Sequence, residues 1–223
     1  MYSHCSAVRP RGIFISFEGP EGCGKTTQIQ KLARVFQGCD RSFLVLREPG
    51  GTALGESVRH LLKYATTAGP SNLSPEAELL LFAASRAQLV REKILPALLA
   101  GSFVVCDRFL DSTTVYQGTA RNLPHNFVKY VNQQVVSGCI PDITFLLDID
   151  SELALQRISR RGTHVLDRIE QESLQFHTLV RKGYLELAQA NPGRFIVLDA
   201  EQSADSLSKK IVMTLEERYG PFS

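Results

Sequence analysis

Short unbroken apolar runs alternate along this chain with stretches whose apolar residues recur at helical spacing. Ile13 to Phe17 is apolar, β-branched and aromatic apart from Ser16, the composition of a strand buried on both faces. Ser42–Leu46, Ser102–Asp107, Ile143–Leu147 and Arg194–Leu198 repeat that pattern. Between them lie helical stretches: Lys25 to Gln37, stopping near Gly38; Ala53 to Tyr64; Asn126 to Ser137, ending at Gly138; and a long one reaching about Ala190. Ser74-Pro75-Glu76 is a helix start, with a Ser cap, Pro at the first position and an acid in the first turn. The helix that follows carries Leu79, Phe82, Ala83, Val90 and Ile94 on one stripe. The stretch from Asp111 to Gln117 opens another helical region, a further helix follows Asp148, and the last begins near Ser203. Strands alternating with helices predict an α/β fold with a parallel sheet covered on both faces.

At 223 residues, without repeat, linker or low-complexity tract, the chain reads as one domain spanning 12–223, preceded by a loose, polar and basic extension over 1–11. A Gly-Pro-Ser-Asn loop is expected at 69–72. The net charge of +2 gives no reason to expect a nucleic-acid partner. No apolar run approaches the roughly 20 residues of a membrane span, and residues 1–11 lack the apolar centre of a signal peptide. The five cysteines, Cys5, Cys23, Cys39, Cys106 and Cys139, form no C-x-x-C pair, which argues against a disulfide framework or zinc site and for a reducing cytoplasm.

Chemistry enters with the turn after the first strand. Gly19-Pro20-Glu21-Gly22-Cys23-Gly24-Lys25-Thr26, followed by Thr27, fits G-x-x-x-x-G-K-[ST]. Gly19, Gly22 and Gly24 permit positive φ and close approach of backbone to ligand. Successive N–H groups then form an anion nest at the positive end of a helix dipole. Lys25 would reach the β- and γ-phosphates of a nucleoside triphosphate, and Thr26 would offer its hydroxyl to Mg²⁺. The competing reading, a chance glycine-rich turn, is disfavoured by the strand before, the helix after and the Lys-Thr pair. Cys23, beside a helix N-terminus, is either a reactive thiol or, as we favour, a small residue that fits.

Ser102–Asp107 has the shape of a strand whose terminal carboxylate, Asp107, helps hold Mg²⁺, with Arg108 facing the same crevice. Arg86 lies on the apolar stripe one turn from Phe82. A charge there needs a partner: it either pairs with an internal carboxylate or points into a cleft with Phe82, and the pattern favours the cleft. Arg157 and Arg161 share a helix face, with Arg160 between them, before a break at Gly162. Most such runs are solvated surface.

The phosphate loop, Arg47-Glu-Pro-Gly-Gly51, Phe82 to Arg86, Asp107-Arg108-Phe109, Tyr116-Gln117-Gly118 and Leu166-Asp-Arg-Ile-Glu-Gln171, in this order, resemble the bacterial type of thymidylate kinase. The resemblance runs from Gly12 onward. It implies a P-loop kinase fold, a five-stranded parallel sheet sandwiched by helices, with a helical lid at about 157–170, and a homodimer. It implies transfer of the ATP γ-phosphoryl to dTMP, giving dTDP and ADP with Mg²⁺, in dTTP biosynthesis. By position, Phe82 resembles the residue stacked on thymine and Arg86 the donor to a thymine carbonyl. Thr113 and Gln117 resemble polar contacts around the base, Tyr116 the residue crowding the sugar, and Glu48 a cleft carboxylate. Arg108 resembles a clamp between donor and acceptor phosphates. The loop carries Glu21 where eukaryotic members carry an arginine, so transition-state charge falls to the lid, to Arg161 first and Arg157 second. The stretch from Gly162 to Val165 is a residue or two longer than the family pattern.

A phosphate monoester has its second pKa near 6, so its oxygen needs no general base at neutral pH. The inventory of Lys25, Arg108, lid arginines and Mg²⁺, with no obvious catalytic His, suits that acceptor. Two other readings are a deoxynucleoside kinase using Glu48 as general base toward a hydroxyl, and a low-turnover nucleotide-binding module. The latter is weakened by the lack of an N-K-x-D motif.

Overall fold

The computed structural model describes residues 11–38, 42–64, 73–160 and 166–222. Arg161, the stretch 162–165, the loop at 69–72, Cys5, Cys39 and all but the last residue of the expected N-terminal extension lie outside the described residues.

Five parallel strands form the sheet: β1 (Phe14–Glu18), β2 (Phe43–Arg47), β3 (Phe103–Asp107), β4 (Ile143–Asp148) and β5 (Phe195–Asp199), in the order β2-β3-β1-β4-β5. β1 is central, pairing with β3 on one side and β4 on the other, which explains why all five of its residues are buried. The pleat sends its side chains alternately to two cores. Ile15 and Phe17 join Phe36, Phe103, Phe145 and Leu147 on one face. Phe14 joins Leu89, Val104, Cys106 and Phe109 on the other.

The first face is covered by α1 (Lys25–Gln37) and α9 (Ala204–Tyr219), which pack on each other. α1 presents Ile29, Leu32 and Phe36 at helical spacing, and Phe36 stacks on Phe103 with centroids 4.9 Å apart. On the other side α2 (Ala53–Tyr64) packs on α3 (Pro75–Leu89). α3 begins as its sequence predicts, with Ser74 accepting from the Ala77 N–H at 3.2 Å and Pro75 in the first turn. It runs on through a π-helical segment (Val90–Ile94) into α4 (Leu95–Leu99).

α5 (Leu110–Thr113) and a π-helical segment (Thr114–Ala120) follow β3, then α6 (His125–Val136), which packs on α3. α7 (Ser151–Ser159) starts at Asp150, whose carboxylate caps the Glu152 and Leu153 N–H groups. α7 is shorter than the arginine run implied: Arg157 is helical, whereas Arg160 already stands beyond its end. α8 (Leu174–Ala190) is capped by Ser173. The pairing of Phe17 and Arg47 with Asp107 aligns the carboxyl ends of β1, β2 and β3. There the site is built.

Candidate active site

The loop after β1 turns through Gly19, Gly22 and Gly24 at φ 138°, 78° and 96°. A Cβ on Gly19 would stand 2.5 Å from the Leu147 carbonyl, and one on Gly22 2.5 Å from that of Ala154, so space as well as φ demands glycine. α1 then starts from Gly24 with no side-chain cap on its first N–H groups, which leaves them for an anion. Lys25 folds back over the loop, donating to the Gly19 and Pro20 carbonyls at 3.0 and 2.9 Å. Those bonds hold the ammonium where loop-bound phosphate would compete for it.

Arg108 leaves β3 in a left-handed conformation (φ 69°) with its N–H donating to the Phe17 carbonyl at 3.0 Å. An arginine there costs of order 1–3 kcal/mol, and its surroundings hold it. Its guanidinium donates to Glu21 at 2.6 Å, the Gly19 carbonyl at 3.0 Å, the Tyr184 hydroxyl at 3.1 Å and the Ser112 hydroxyl at 3.2 Å. It also lies 5.1 Å from the centre of the Tyr116 ring, and Tyr116 donates to Glu21. Burial pushes the Glu21 carboxyl up, but Arg108, then Lys25, then the Tyr116 hydroxyl outweigh it, and the net shift is downward.

Behind Arg108 sits a carboxylate that the sequence reading passed over. Glu18 is fully buried at the end of β1 and accepts from the Phe109 N–H at 2.8 Å, Ser112 at 2.7 Å and Tyr184 at 2.8 Å. Burial, and after it the charge of Asp111, raises its pKa to about 7. An acid closing an apolar strand was the available signal. Tyr184 stands in the middle of α8, and only the fold brings it here.

Loop, Arg108 and base-sized space share one cleft of about 330 Å³. Gly22, Gly24, Lys25, Thr26 and Thr27 line it together with Phe82, Thr113, Tyr116, Gln117 and Asp107, and Arg108 touches both groups, through Glu21 of the loop and over the Tyr116 ring. Thr113 Oγ1 and Glu48 Oε1 are buried there with no protein partner, an expensive state that a ligand relieves. Arg47, Arg59, Lys63 and Arg168 add positive charge to the rim. Thr26 Oγ1 donates to Asp107 Oδ2 at 3.2 Å, so a hydroxyl and a carboxylate meet beside the phosphate nest. Oxygen donors of this kind suit Mg²⁺, which completes its shell with water and substrate phosphate. Among the described residues no cluster of three or more His, Cys, Asp or Glu offers a separate metal site. A second cavity, about 340 Å³, opens on the far side of the loop between Gly22–Gly24, Thr27, Arg157, Ala200 and Gln202.

The thymidylate kinase family model matches residues 17–211. A thymidylate kinase of Deinococcus radiodurans is 45% identical over 208 residues, covering 93% of this chain and 98% of its own. One from Caldanaerobacter subterraneus subsp. tengcongensis is 48% identical over 207 residues, covering 93% and 96%. The crystal structure of thymidylate kinase from Ehrlichia chaffeensis superposes with TM-score 0.72 at 32% identity, over 92% of this chain and 99% of that one. The chain belongs to the thymidylate kinase family.

Two expectations for this thymidylate kinase family member change. Arg86 does not line the cleft: it is 1% exposed and gives Glu48 two bonds, at 2.8 and 2.5 Å, with others to Asn132 at 2.9 Å and the Phe109 carbonyl at 3.1 Å. The internal carboxylate that the apolar stripe demanded exists, and pairing with it beats exposure of the charge. Arg157 lines the second cavity, not the main cleft, and donates to the Ala200 carbonyl at 3.0 Å. The descent of α7 past the outer side of the loop puts it there. The other expected residues, Glu21, Glu48, Phe82, Asp107, Arg108, Thr113, Tyr116, Gln117 and those of the loop, border one or both cavities, apart from Gly19 and Pro20, whose carbonyls accept from Lys25.

Proposed function

We propose that this protein transfers the γ-phosphoryl of ATP to dTMP, giving dTDP and ADP, and that the residues above divide the work as follows. One observation carries the reading: a single cleft joins a backbone anion nest to an aromatic-floored, polar-edged pocket, with Arg108 between them. Such a shape suits two phosphate chains brought end to end. The nest and Lys25 take the donor's β- and γ-phosphates, and Arg108 takes the acceptor phosphate. Phe82 stacks on the base, whose edge meets Thr113 and Gln117, while Tyr116, held by Glu21, packs against the sugar. Thr26 and Asp107 hold Mg²⁺, which when bound neutralises charge on the phosphate oxygens. The second cavity, open to the loop but outside the transfer cleft, suits the donor's base and ribose, with Arg157 at its wall. Family membership favours this acceptor over a nucleoside hydroxyl. Glu48, already paired with Arg86, is a support for the pocket rather than a general base.

Exposed Leu54 and Leu61 on α2, Leu80 on α3, and Phe127 and Tyr130 on α6, three helices packed in sequence, support a homodimer through this face. The buried free thiols Cys23, Cys106 and Cys139 suit a reducing cytoplasm. No helix among the described residues is long and apolar enough to cross a membrane. ADP release measured across dTMP, dUMP, dCMP, AMP and thymidine tests the proposal. The expected result is fastest turnover with dTMP, and turnover with thymidine alone would overturn it.

A further inference from the structure

Gln117 is buried in the π-helical segment after α5 and lines the acceptor end of the cleft. A side-chain amide offers a donor edge and an acceptor edge, and its protein partner decides which one a ligand meets. Here that partner is Glu78 on α3, itself 1% exposed, which receives Gln117 Nε2 at 2.6 Å. A carboxylate only accepts, so it pairs with the NH₂ edge and leaves Gln117 Oε1 facing away. Arg168 donates to the other Glu78 oxygen, and Arg121 approaches within 3.5 Å on the first. These cations balance the charge of a carboxylate placed against a binding pocket.

We propose that Glu78 is a positioning residue that locks Gln117 as a hydrogen-bond acceptor toward the nucleobase, and so selects bases with a ring N–H at position 3. Thymine and uracil carry that N–H. Cytosine presents a lone pair at the same position, so two acceptors would face each other. Leaving buried acceptors unpaired in this way lowers kcat/KM by roughly 10- to 100-fold. The inference rests on the reading of the Phe82 end as the base pocket. It adds a basis for discrimination that resides outside the cleft wall: Glu78 does not border the cavity.

The test is the ratio of kcat/KM for dTMP to that for dCMP, with dUMP as a third acceptor, in Glu78→Gln. The amide introduced by that substitution can offer either edge, so Gln117 is free to turn over. The dTMP-to-dCMP ratio should fall roughly 10-fold or more, through KM rather than kcat, while the dTMP-to-dUMP ratio stays unchanged. Arg121→Met, which removes a cation from the same carboxylate without touching the amide, should leave both ratios as they are. Gln117→Leu in the intact Glu78 background should lower the dTMP-to-dCMP ratio as Glu78→Gln does, and reads the same match if Glu78→Gln does not fold. The double variant should add nothing further. Equal losses for all three nucleotides in Glu78→Gln, or an unchanged ratio in Gln117→Leu, would overturn the inference while leaving dTMP kinase activity in place. Absence of dTMP turnover in the wild-type protein would instead remove the base-pocket reading itself.

Discussion

Glu18→Gln isolates a titratable group held far above the usual carboxylate range. The carboxyl is fully buried, and its pKa rises from 4.5 to about 7, through burial first and the neighbouring Asp111 second. Between those two values the folded protein binds more protons than the unfolded chain, so the stability contributed by this group falls as pH rises. That rise in pKa corresponds to something on the order of 3 kcal/mol. Ser112 and Tyr184 donate hydroxyls to Glu18, and both hydroxyls can rotate to accept from a glutamine amide, so the variant keeps its contacts. Urea unfolding of both proteins from pH 4.5 to about pH 8 reads the effect directly. The stability of Glu18→Gln minus that of the wild type should climb by on the order of 3 kcal/mol across this window, equivalent to roughly 6–12 °C in Tm for a domain of this size. A flat difference, or one that falls with pH, would refute the reasoning.

Gly22→Ala should lose both stability and ATP binding, because the new Cβ meets the Ala154 carbonyl at 2.5 Å and φ is 78°; thermal melts with and without ATP would show the loss persisting in both. Lys25→Ala should lower kcat by roughly 10²- to 10³-fold while dTMP affinity changes little, measured by steady-state kinetics and by direct dTMP titration. Arg86→Met strands the Glu48 carboxylate, so denaturant unfolding should show a loss of about 3–5 kcal/mol; a stable variant defective only in dTMP KM would return Arg86 to the cleft.

The phosphate loop and the strand ends were legible because their chemistry is local. Glycine spacing dictates the backbone of residues 19–24, and an apolar run ending in Asp107 dictates where a carboxylate emerges. The alternation of apolar runs and helical stripes pointed to the parallel sheet, since strands buried on both faces leave no polar period to misread. Arg86 was misplaced because the stripe says only that a charge is buried, not which partner waits across 38 residues of chain. Glu18, Tyr184 and Glu78 escaped notice for the same reason. Each looks ordinary in its own element and acquires a role only when β1, α3, α8 and the π-helical segment after α5 converge. Arg157 shows the limit of helix-face reasoning: spacing puts it on the face it would share with Arg161, but the direction of α7 sends that face past the outside of the loop.

In the proposed reaction one cleft sets phosphate against phosphate. Phosphorus NMR on a single mixture of purified protein, ATP, Mg²⁺, dTMP and thymidine tests it most directly. The resonances of a deoxynucleoside diphosphate should grow in as the dTMP signal and the ATP γ-signal decline together. Growth of the dTMP signal itself as the ATP γ-signal declines, thymidine being converted to dTMP and no deoxynucleoside diphosphate forming, would contradict it.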